Sequence, residues 1–512
     1  MNDSATRTPP PDEQVVIVGA GPVGLWLAGE LQLAGVPTTV LERTLTRVPH
    51  SKALGIHART IEVLAMRGAE GQFLAQGRKV PNWHFGMLAS RIDLGVLNTP
   101  YPYMLGHPQT HTEAILEERA LALGGTVLRG HAVTSLEQDA SAVTLKVTGP
   151  SGPYTCRAGY VVGCDGAGST VRKAAGIAFP GTDARVFGIL GDVVLQDPPP
   201  GGQFQAFNAN GALIVVPLPG GFYRVTGFDP LHQQPATSLT LDDLRAWATR
   251  VAGTDFGMTD PQWISRFGNA TRQAATYRAG RVLLAGDAAH MHFPAGGVGL
   301  NVGVQDAMNL GWKLAAKIKG RASAELLDSY HRERHPVGVA LAEHTLAQTA
   351  LLGSTLPETL ALRDLLSKLI NAQPGLSTGL AGILSALDIS YPSAHPQAHP
   401  LTGTRAVPTS TADGSRPLLF DLLHDGRPLV LNLSGDPLPG THRLTRQLGF
   451  HITSMATIDA SDPLWAGVQT AIIRPDGHVW WATDTGKDQQ ADLDNTVQHA
   501  LKGLCVSFAP LK

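Results

Sequence analysis

The chain has 512 residues, a length that predicts about three domains. Its 40 Lys and Arg nearly balance its 42 Asp and Glu, and this balance argues against a nucleic-acid partner, because such proteins usually carry a basic surface. With 43% hydrophobic residues the chain can build large cores. Glycine is unusually frequent, at 57 residues, but shows no Gly-X-Y period, so a collagen-like structure is excluded.

The N-terminus and the cysteines indicate the compartment. Residues 1–13 are polar and lack the basic and apolar regions of a signal peptide, so we expect a disordered leader. The sequence contains no run of about 18 apolar residues, so no membrane-spanning helix is predicted. Cys156, Cys164 and Cys505 contain no CxxC pair, which favours free thiols over disulfides or a zinc site. We therefore expect a cytoplasmic protein without a membrane partner.

A first glycine-rich motif, GAGPVG at 19–24, joins an apolar strand to an apolar helical stretch and a second strand. In such a βαβ unit Gly19 permits the tight turn, Gly21 lets a pyrophosphate approach the backbone, and Gly24 permits close helix–strand packing. Glu42 ends the second strand, where a carboxylate can accept hydrogen bonds from a ribose. The negative charge disfavours NADP at this site, so the motif predicts FAD or NAD.

Two further glycine-rich motifs follow predicted strands. In CDGAGST (164–170) Asp165 and Ser169 can cap the next helix, so this motif alone favours a structural turn. The third motif consists of GDAAH (286–290) and the glycine-rich turn 294–299. In it Asp287 can accept a hydrogen bond from a polyol hydroxyl, and the turn precedes a long helix whose positive end would stabilise a reduced flavin. A single NAD would not need both the first and the third motif, which are far apart in the sequence. The presence of both therefore predicts FAD, a longer ligand that could contact the two motifs with its two ends.

The remaining segments indicate the domain organisation. Residues 186–280 are rich in predicted strands around one helix, and residues 324–387 are mostly helical. Prolines near 392–400 mark a linker, after which strands, a hairpin at 469–483 and a helix at 492–503 are predicted. We expect an FAD-binding domain with a helical extension (14–185 and 281–400), an inserted substrate-binding β domain (186–280), and a C-terminal domain (405–512).

Together the three motifs resemble those of the class A flavin-dependent monooxygenases, the FAD-containing aromatic hydroxylases. The resemblance is nearly continuous over 281–315 and 160–177, and extends through ALGIHARTIEVLAMRG (53–68). The C-terminal segment is similar to the thioredoxin-like domain of the subgroup that acts on phenols, aromatic polyketides and rifampicin, but it lacks CxxC. The implied fold is α/β: a Rossmann-like FAD-binding domain, an inserted antiparallel β-sheet domain and a thioredoxin-like C-terminal domain.

The resemblance also implies which residues bind the cofactor. Gln109 and Asp287 would contact the ribityl chain, Arg119 the pyrophosphate region, and Pro294 and Val298 would lie near the flavin face. The complete implied cofactor set is Gly19, Gly21, Pro22, Val23, Gly24, Glu42, Arg43, Lys52, Gln109, Arg119, Asp165, Gly166, Asp287, Pro294, Gly297, Gly299, Leu300 and Asn301. Two residues depart from the pattern of the subgroup that the sequence resembles: Val298 stands where that subgroup commonly has Gln, and Lys52 where it commonly has Arg.

The implied reaction needs no catalytic triad, because the flavin carries the chemistry. NADPH or NADH reduces FAD, O2 adds at flavin C4a, and the hydroperoxide oxygenates an aromatic small molecule, expected to be a polycyclic polyketide or antibiotic. Baeyer–Villiger oxygenation and a non-catalytic flavoprotein or ligand-sequestering binder are the alternatives. Candidate substrate contacts on the β domain are Phe204, Phe207, Asn208, Val215 and Arg224, although each also suits an ordinary sheet position.

His290 and His292 lack a suitable third ligand and are interpreted as structural, so no metal site is expected. The apolar stretch 346–387 favours a core or a subunit interface over a membrane-surface helix, so the sequence allows a homodimer.

Overall fold

The computed structural model describes residues 12–234, 238–393, 398–406, 418–433, 451–454 and 465–484. Most of the predicted leader, the predicted helix at 492–503 and Cys505 lie outside the described residues. Eleven α-helices are assigned within these ranges. They are α1 (Pro22–Leu33), α2 (Ala58–Ala65), α3 (Glu70–Gln76), α4 (Gln109–Ala122), α5 (Thr170–Ala174), α6 (Leu241–Ala252), α7 (Gly299–Ile318), α8 (Ala324–Leu352), α9 (Pro357–Ala372), α10 (Pro374–Ser385) and α11 (Leu418–Asp421).

The strands assigned in the same ranges form the sheets described below. They are β1 (Asp12–Val18), β2 (Thr38–Glu42), β3 (Gly55–Ile56), β4 (Arg78–Val80), β5 (Asn82–His84), β6 (Arg91–Asp93), β7 (Met104–Gly106), β8 (Thr126–Arg129), β9 (Ala132–Gln138), β10 (Val143–Gly149), β11 (Gly152–Gly163), β12 (Gly181–Thr182), β13 (Phe187–Leu195), β14 (Phe204–Asn208), β15 (Gly211–Pro217), β16 (Tyr223–Phe228), β17 (Met258–Gly268), β18 (Thr271–Gln273), β19 (Arg278–Ala279), β20 (Val282–Leu284), β21 (His290–Met291), β22 (Leu429–Asn432), β23 (His451–Ser454), β24 (Thr470–Ile473) and β25 (Val479–Thr483).

The central sheet has the order β19-β20-β11-β1-β2-β8, with β1 parallel to both β2 and β11, β11 parallel to β20, and β2 parallel to β8. Val15, Val16 and Ile17 of β1 are fully buried, which explains the uninterrupted apolar run in this strand. Because the strands are parallel, the chain leaves β1, β11 and β20 at one edge of the sheet, and there each strand is followed by one glycine-rich motif.

A second, five-stranded antiparallel sheet has the order β14-β15-β16-β13-β17. Helix α6 covers one face, where Leu213, Val225 and Trp247 belong to one buried apolar cluster. Thr240 and Asp243 form a capping box at the start of α6, which is the helix expected among the strands of 186–280. The opposite face of the sheet contributes Phe207 and Ile214 to a cluster that includes Phe293 of the third motif.

The C-terminal sheet has the order β23-β22-β24-β25, with β22 parallel to β23 and antiparallel to β24. The turn between β24 and β25 reaches α7 and α8. There Arg474 donates to Glu333 at 2.8 Å and 3.0 Å, and Lys313 donates to the same carboxylate at 2.7 Å. Asp476 accepts from the indole of Trp312 at 3.1 Å. A buried ionic cluster thus joins this sheet to α7 and α8.

Two features are absent from the part of the chain that the structure describes. Its helices include none with both the length and the apolar character required for a bilayer crossing. Its His, Cys, Asp and Glu side chains form no group of three that could hold a metal ion.

Glu333→Gln is expected to lower the free energy of unfolding by about 3–5 kcal/mol, because it leaves buried cations without their carboxylate. Burial raises the pKa of Glu333, but the charges of Arg474 and Lys313 outweigh it and lower the pKa to about 2. The carboxylate therefore stabilises the fold above its unfolded-state pKa of about 4.3, and this contribution is lost as pH falls toward 2. Denaturant unfolding at several pH values measures both effects.

Asp328→Asn is the control, since Asp328 is half-exposed and pairs with Arg278 at the surface. It should change the free energy of unfolding by no more than about 1 kcal/mol. Equal losses in the two variants would contradict the structural role given to the buried cluster.

Candidate cofactor and substrate site

The three glycine-rich motifs pack against one another at the edge of the central sheet. A Cβ added to Gly19, whose φ is 108°, would lie 2.4 Å from the carbonyl oxygen of Cys164 in the second motif. A Cβ added to Gly286 in the third motif would lie 2.9 Å from the side chain of Val23. The first motif therefore lies between the other two, and side chains at these glycines would push them apart.

Gly21 caps α1, and Pro22 occupies its first turn, where a missing N–H costs no hydrogen bond. A Cβ added to Gly21 would meet nothing within 4 Å, whereas one added to Gly24 would lie 2.1 Å from the carbonyl oxygen of Gly19. Gly21 thus faces open space at the positive end of α1, and Gly24 faces the strand. This is the arrangement that a pyrophosphate needs.

The Glu42 carboxylate lies beside the first motif. It accepts from the Ala20 N–H at 2.9 Å and from the N–H and hydroxyl of Thr44, both at 2.8 Å. The carboxylate is half-buried and still has lone pairs for sugar hydroxyls. Arg43 and Lys52, which also belong to the implied cofactor set, are both exposed to solvent.

A buried carboxylate, Asp306 of α7, holds the third motif. It accepts from the Gly286 N–H at 3.1 Å, from His290 Nε2 at 2.6 Å and from Arg334 Nε at 2.7 Å. Burial raises the pKa of Asp306, but the charges of Arg334 and His290 outweigh this effect, so the net pKa is lowered and the group stays ionised. The fixed turn leaves Asp287 exposed at the end of β20, without a hydrogen bond or ion pair among the described residues.

The N-terminus of α7 offers free backbone donors. Val302 N–H donates to Val298 O at 3.0 Å, so the N–H groups of residues 299–301 precede the first helical hydrogen bond. The Asn301 side chain does not face this space. It accepts from His57 N–H at 2.8 Å and donates to the carbonyls of Gly55 and Gly297 at 3.1 Å and 3.0 Å. Asn301 can therefore reach a ligand only through its backbone.

The second motif has the capping role that its sequence indicates. Asp165 accepts from the N–H groups of Thr170 at 2.7 Å and Val171 at 3.2 Å, and Ser169 accepts from Arg172 N–H at 2.9 Å. The Asp165 carboxylate is thus directed into α5. Gly166 adopts φ 78°, and a Cβ there would meet nothing within 4 Å.

Arg119 is not placed beside the pyrophosphate region, contrary to expectation. Its guanidinium lies 3.3 Å from Glu30 and 4.5 Å from the ring of Trp26, and a Cβ on Gly29 would overlap it. Glu30 lies about 12 Å along α1 from Pro22. Arg119 therefore joins α4 to the middle of α1.

Two other implied residues have side-chain partners within the protein. Val298 is buried with Val302 and Leu341 and so packs against α8, and its expected position near the flavin face remains a prediction. Gln109 accepts from Ala53 N–H at 3.2 Å and donates to Glu113 at 2.8 Å, which holds the start of α4 against the segment at 53.

The five candidate substrate residues do not share one face of the antiparallel sheet, so they do not all face the third motif. Phe204 and Val215 belong to the cluster under α6, and Asn208 donates to Val251 O of α6 at 2.9 Å. Phe207 lies on the opposite face, toward the third motif, and Arg224 lies on that face because its neighbour Val225 belongs to the cluster under α6. Alternation along each strand separates the two groups.

The face toward the third motif contains two buried guanidinium groups with different surroundings. Arg224 forms a bidentate pair with Asp192, at 2.8 Å for both bonds. Among the described residues, no carboxylate is hydrogen-bonded to Arg363. It donates to the carbonyls of Gly86, Leu351 and Met87, and its guanidinium carbon lies 3.5 Å from the ring centroid of Phe207. Burial lowers the pKa of Arg363 to about 10.

Several residues at the site were not predicted. Trp83 Nε1 donates to the Gly296 carbonyl at 3.0 Å, and His57 Nε2 lies 2.9 Å from the same oxygen. Trp263 stacks on His50, with ring centroids 4.0 Å apart. His57 lies within a stretch that resembles the family, whereas Trp83, Trp263 and Arg363 come from distant segments that carry no motif.

Comparisons with known proteins agree with this geometry. The family described as FAD binding domain matches residues 12–345, and the family described as Aromatic-ring hydroxylase, C-terminal, matches residues 399–502. The chain is 40% identical over 482 residues to a rifampicin monooxygenase of Streptomyces venezuelae, covering 93% of this chain and 96% of that protein.

Two solved structures extend the comparison. The OxyS anhydrotetracycline hydroxylase from Streptomyces rimosus has a TM-score of 0.85 and 42% identity, covering 98% of this chain and 100% of that one. The Diels-Alderase PyrE3 from pyrroindomycin biosynthesis has a TM-score of 0.80 and 33% identity, covering 96% and 99%. This fold is therefore shared by oxygenases and by at least one protein named for another reaction.

Gly21→Ala is expected to raise the Kd for FAD about 5- to 150-fold, because an added methyl group that must be accommodated costs about 1–3 kcal/mol. The free energy of unfolding of the FAD-free protein should change by less than about 1 kcal/mol, since the methyl meets no protein atom. Gly375→Ala in α10 is the matched control, because its Cβ also meets nothing within 4 Å. Equal FAD affinities in the two variants would exclude Gly21 from the binding site.

Proposed function

The chain belongs to the FAD-dependent aromatic-ring hydroxylases, and we propose that it is an NAD(P)H-dependent monooxygenase that inserts one oxygen atom of O2 into a polycyclic phenolic natural product. The observation that carries this proposal is the convergence of three glycine-rich turns beside an apolar wall. The turns place the free N-termini of α1 and α7 at one edge of the sheet, and the wall includes Phe207, Ile214 and Phe293.

FAD, when bound, supplies the hydride acceptor and activates O2. The protein residues bind and orient it. The open backbone at Gly21 would hold the pyrophosphate, Glu42 the adenosine ribose and Asp287 the ribityl chain. The N–H groups of residues 299–301, at the positive end of a 20-residue helix, would stabilise negative charge on the flavin ring.

The surroundings of the apolar wall favour a flat phenol. Apolar side chains exclude water, which strengthens any charge interaction inside the pocket. Arg363 brings a positive charge to the ring of Phe207 without a carboxylate hydrogen-bonded to it, unlike Arg224. A phenol that loses its proton near Arg363 becomes more electron-rich and thus a better acceptor of electrophilic oxygen.

A second candidate function is a redox-neutral cyclisation, favoured by the similarity to a Diels-Alderase over 96% of this chain. Baeyer–Villiger oxygenation would use the same cofactor and differs only in the product. The homodimer and the cytoplasmic location expected from the sequence remain predictions.

Purified protein is expected to bind FAD and to oxidise NADPH or NADH faster when a phenolic polyketide is added. Labelled O2 should transfer one oxygen atom to the product, as measured by mass spectrometry. Parallel assays with the two nucleotides identify the preferred reductant, and product structure separates hydroxylation from Baeyer–Villiger oxygenation. FAD-bound protein that cyclises a polyene without consuming nucleotide or O2 would contradict oxygenation and favour the second function.

Arg363→Met is expected to raise the pKa of a bound phenol by about 1–3 units, because the phenolate loses a nearby cation. Arg363→Lys keeps the charge and should keep most of the effect. The ionisation of the bound phenol can be followed by its ultraviolet difference spectrum across pH, with Arg278→Met, which alters a surface ion pair, as the control. A bound phenol with the same pKa in Arg363→Met and wild type would exclude this electrostatic role.

A further inference from the structure

His292 has one ring nitrogen with a protein partner and one without. Nδ1 lies 2.8 Å from the Phe293 carbonyl oxygen. A carbonyl only accepts, so Nδ1 carries the proton in the neutral ring, and Nε2 presents a lone pair. No hydrogen bond to Nε2 occurs among the described residues. The sequence alone led us to interpret this histidine as structural, but the unpartnered nitrogen indicates a further role.

Nε2 lies at the start of α7. A Cβ added to Gly299 would be 3.1 Å from this nitrogen, so the ring edge covers the first residue of the helix. Gly299 is also where the flavin ring is proposed to lie. The lone pair of His292 and the N–H groups of residues 299–301 are therefore close to the same space, and His292 can gain a positive charge there, which the backbone N–H groups cannot.

The groups around His292 favour its neutral form in the absence of an anion. Burial lowers its pKa, and the neighbouring His290 lowers it further, whereas the Phe293 carbonyl and Asp287 raise it; the net effect is a lowered pKa. From α8, His344 faces the ring, and burial and the nearby His292 and His57 lower the pKa of His344 to about 4. The positive end of α7 also opposes a cation at this position. A negative charge on the flavin would reverse this balance.

We propose that His292 takes up one proton from solvent when the flavin is reduced and holds it for the later formation of water. This inference rests on the proposed function. A hydride, with its electron pair, passes from NAD(P)H to FAD and leaves NAD(P)⁺ and an anionic reduced flavin, while one proton binds Nε2. The complete reaction consumes NAD(P)H, O2 and one proton for each hydroxylated product and water, so the stored proton balances the equation.

The test is proton uptake during anaerobic reduction of the FAD-loaded protein by NAD(P)H, followed with a pH-indicator dye in weak buffer. An opposite charge at contact distance raises a pKa by about 1–3 units. Uptake should therefore be small below the pKa of His292 in the oxidised protein, approach about one proton per flavin between the two pKa values, and fall again above the raised one. The absorbance of the flavin, recorded in the same experiment, confirms that reduction is complete.

His292→Gln should remove this uptake while leaving any proton bound by the flavin itself, so the difference between the two proteins is the measured quantity. His331→Gln is the control, because His331 is half-buried on α8 beside Tyr277 and His335, and should behave as wild type. If His292→Gln fails to bind FAD, the wild-type titration decides, and uptake that never exceeds about half a proton per flavin overturns the proposal.

Equal uptake by wild type and His292→Gln, with flavin fully reduced in both, also overturns it. Protein that binds no FAD, or whose FAD is not reduced by NAD(P)H, would instead contradict the proposed function.

Discussion

The Asp306 carboxylate connects the parts of the site that are far apart in the sequence. A buried ionised carboxylate is stable only when its oxygens are matched by donors, and Asp306 has the backbone of Gly286, the ring of His290 and the guanidinium of Arg334. These three donors come from the third motif and from α8, while Asp306 itself lies on α7. The carboxylate therefore fixes the turn after β20 relative to the N-terminus of α7.

Support for α7 extends to its other end. Lys313 near the C-terminal end of the helix donates to Glu333, which also receives Arg474 from the C-terminal sheet. The C-terminal domain lacks CxxC, and its described turn serves instead to brace the helix whose N-terminus faces the proposed flavin site. A helix held at both ends can keep its free N–H groups in place without the reorganisation that a mobile loop would require.

The sequence predicted the central part of the fold and site because the relevant signals are local. Apolar runs gave the strands, and glycine motifs directly after them could only meet at the carboxyl edge of a parallel sheet. The placements of Gly19, Gly21 and Gly24 follow from this rule. The capping of α5 by Asp165 and Ser169 was also predictable, because a cap acts within a few residues of its helix.

The expectations that failed depended on contacts between distant segments. Whether Val215 or its neighbour Ile214 faces the ligand depends on which face of the sheet α6 covers, and alternation alone does not reveal this. The partner of Arg119 is Glu30, set by packing of α4 on α1. The contact of Arg363 with Phe207 at the apolar wall was likewise not predictable, because Arg363 lies on α9, a helix whose sequence carries no recognisable motif.

The proposed site requires one FAD to extend from Glu42 to the N-terminus of α7. A crystal structure of the protein with FAD tests it most directly. The adenosine ribose is expected within hydrogen-bond distance of the Glu42 carboxylate, the pyrophosphate at Gly21, and the flavin ring against the N–H groups of residues 299–301. A flavin ring bound on the α6 face of the antiparallel sheet, or an adenosine far from Glu42, would contradict it.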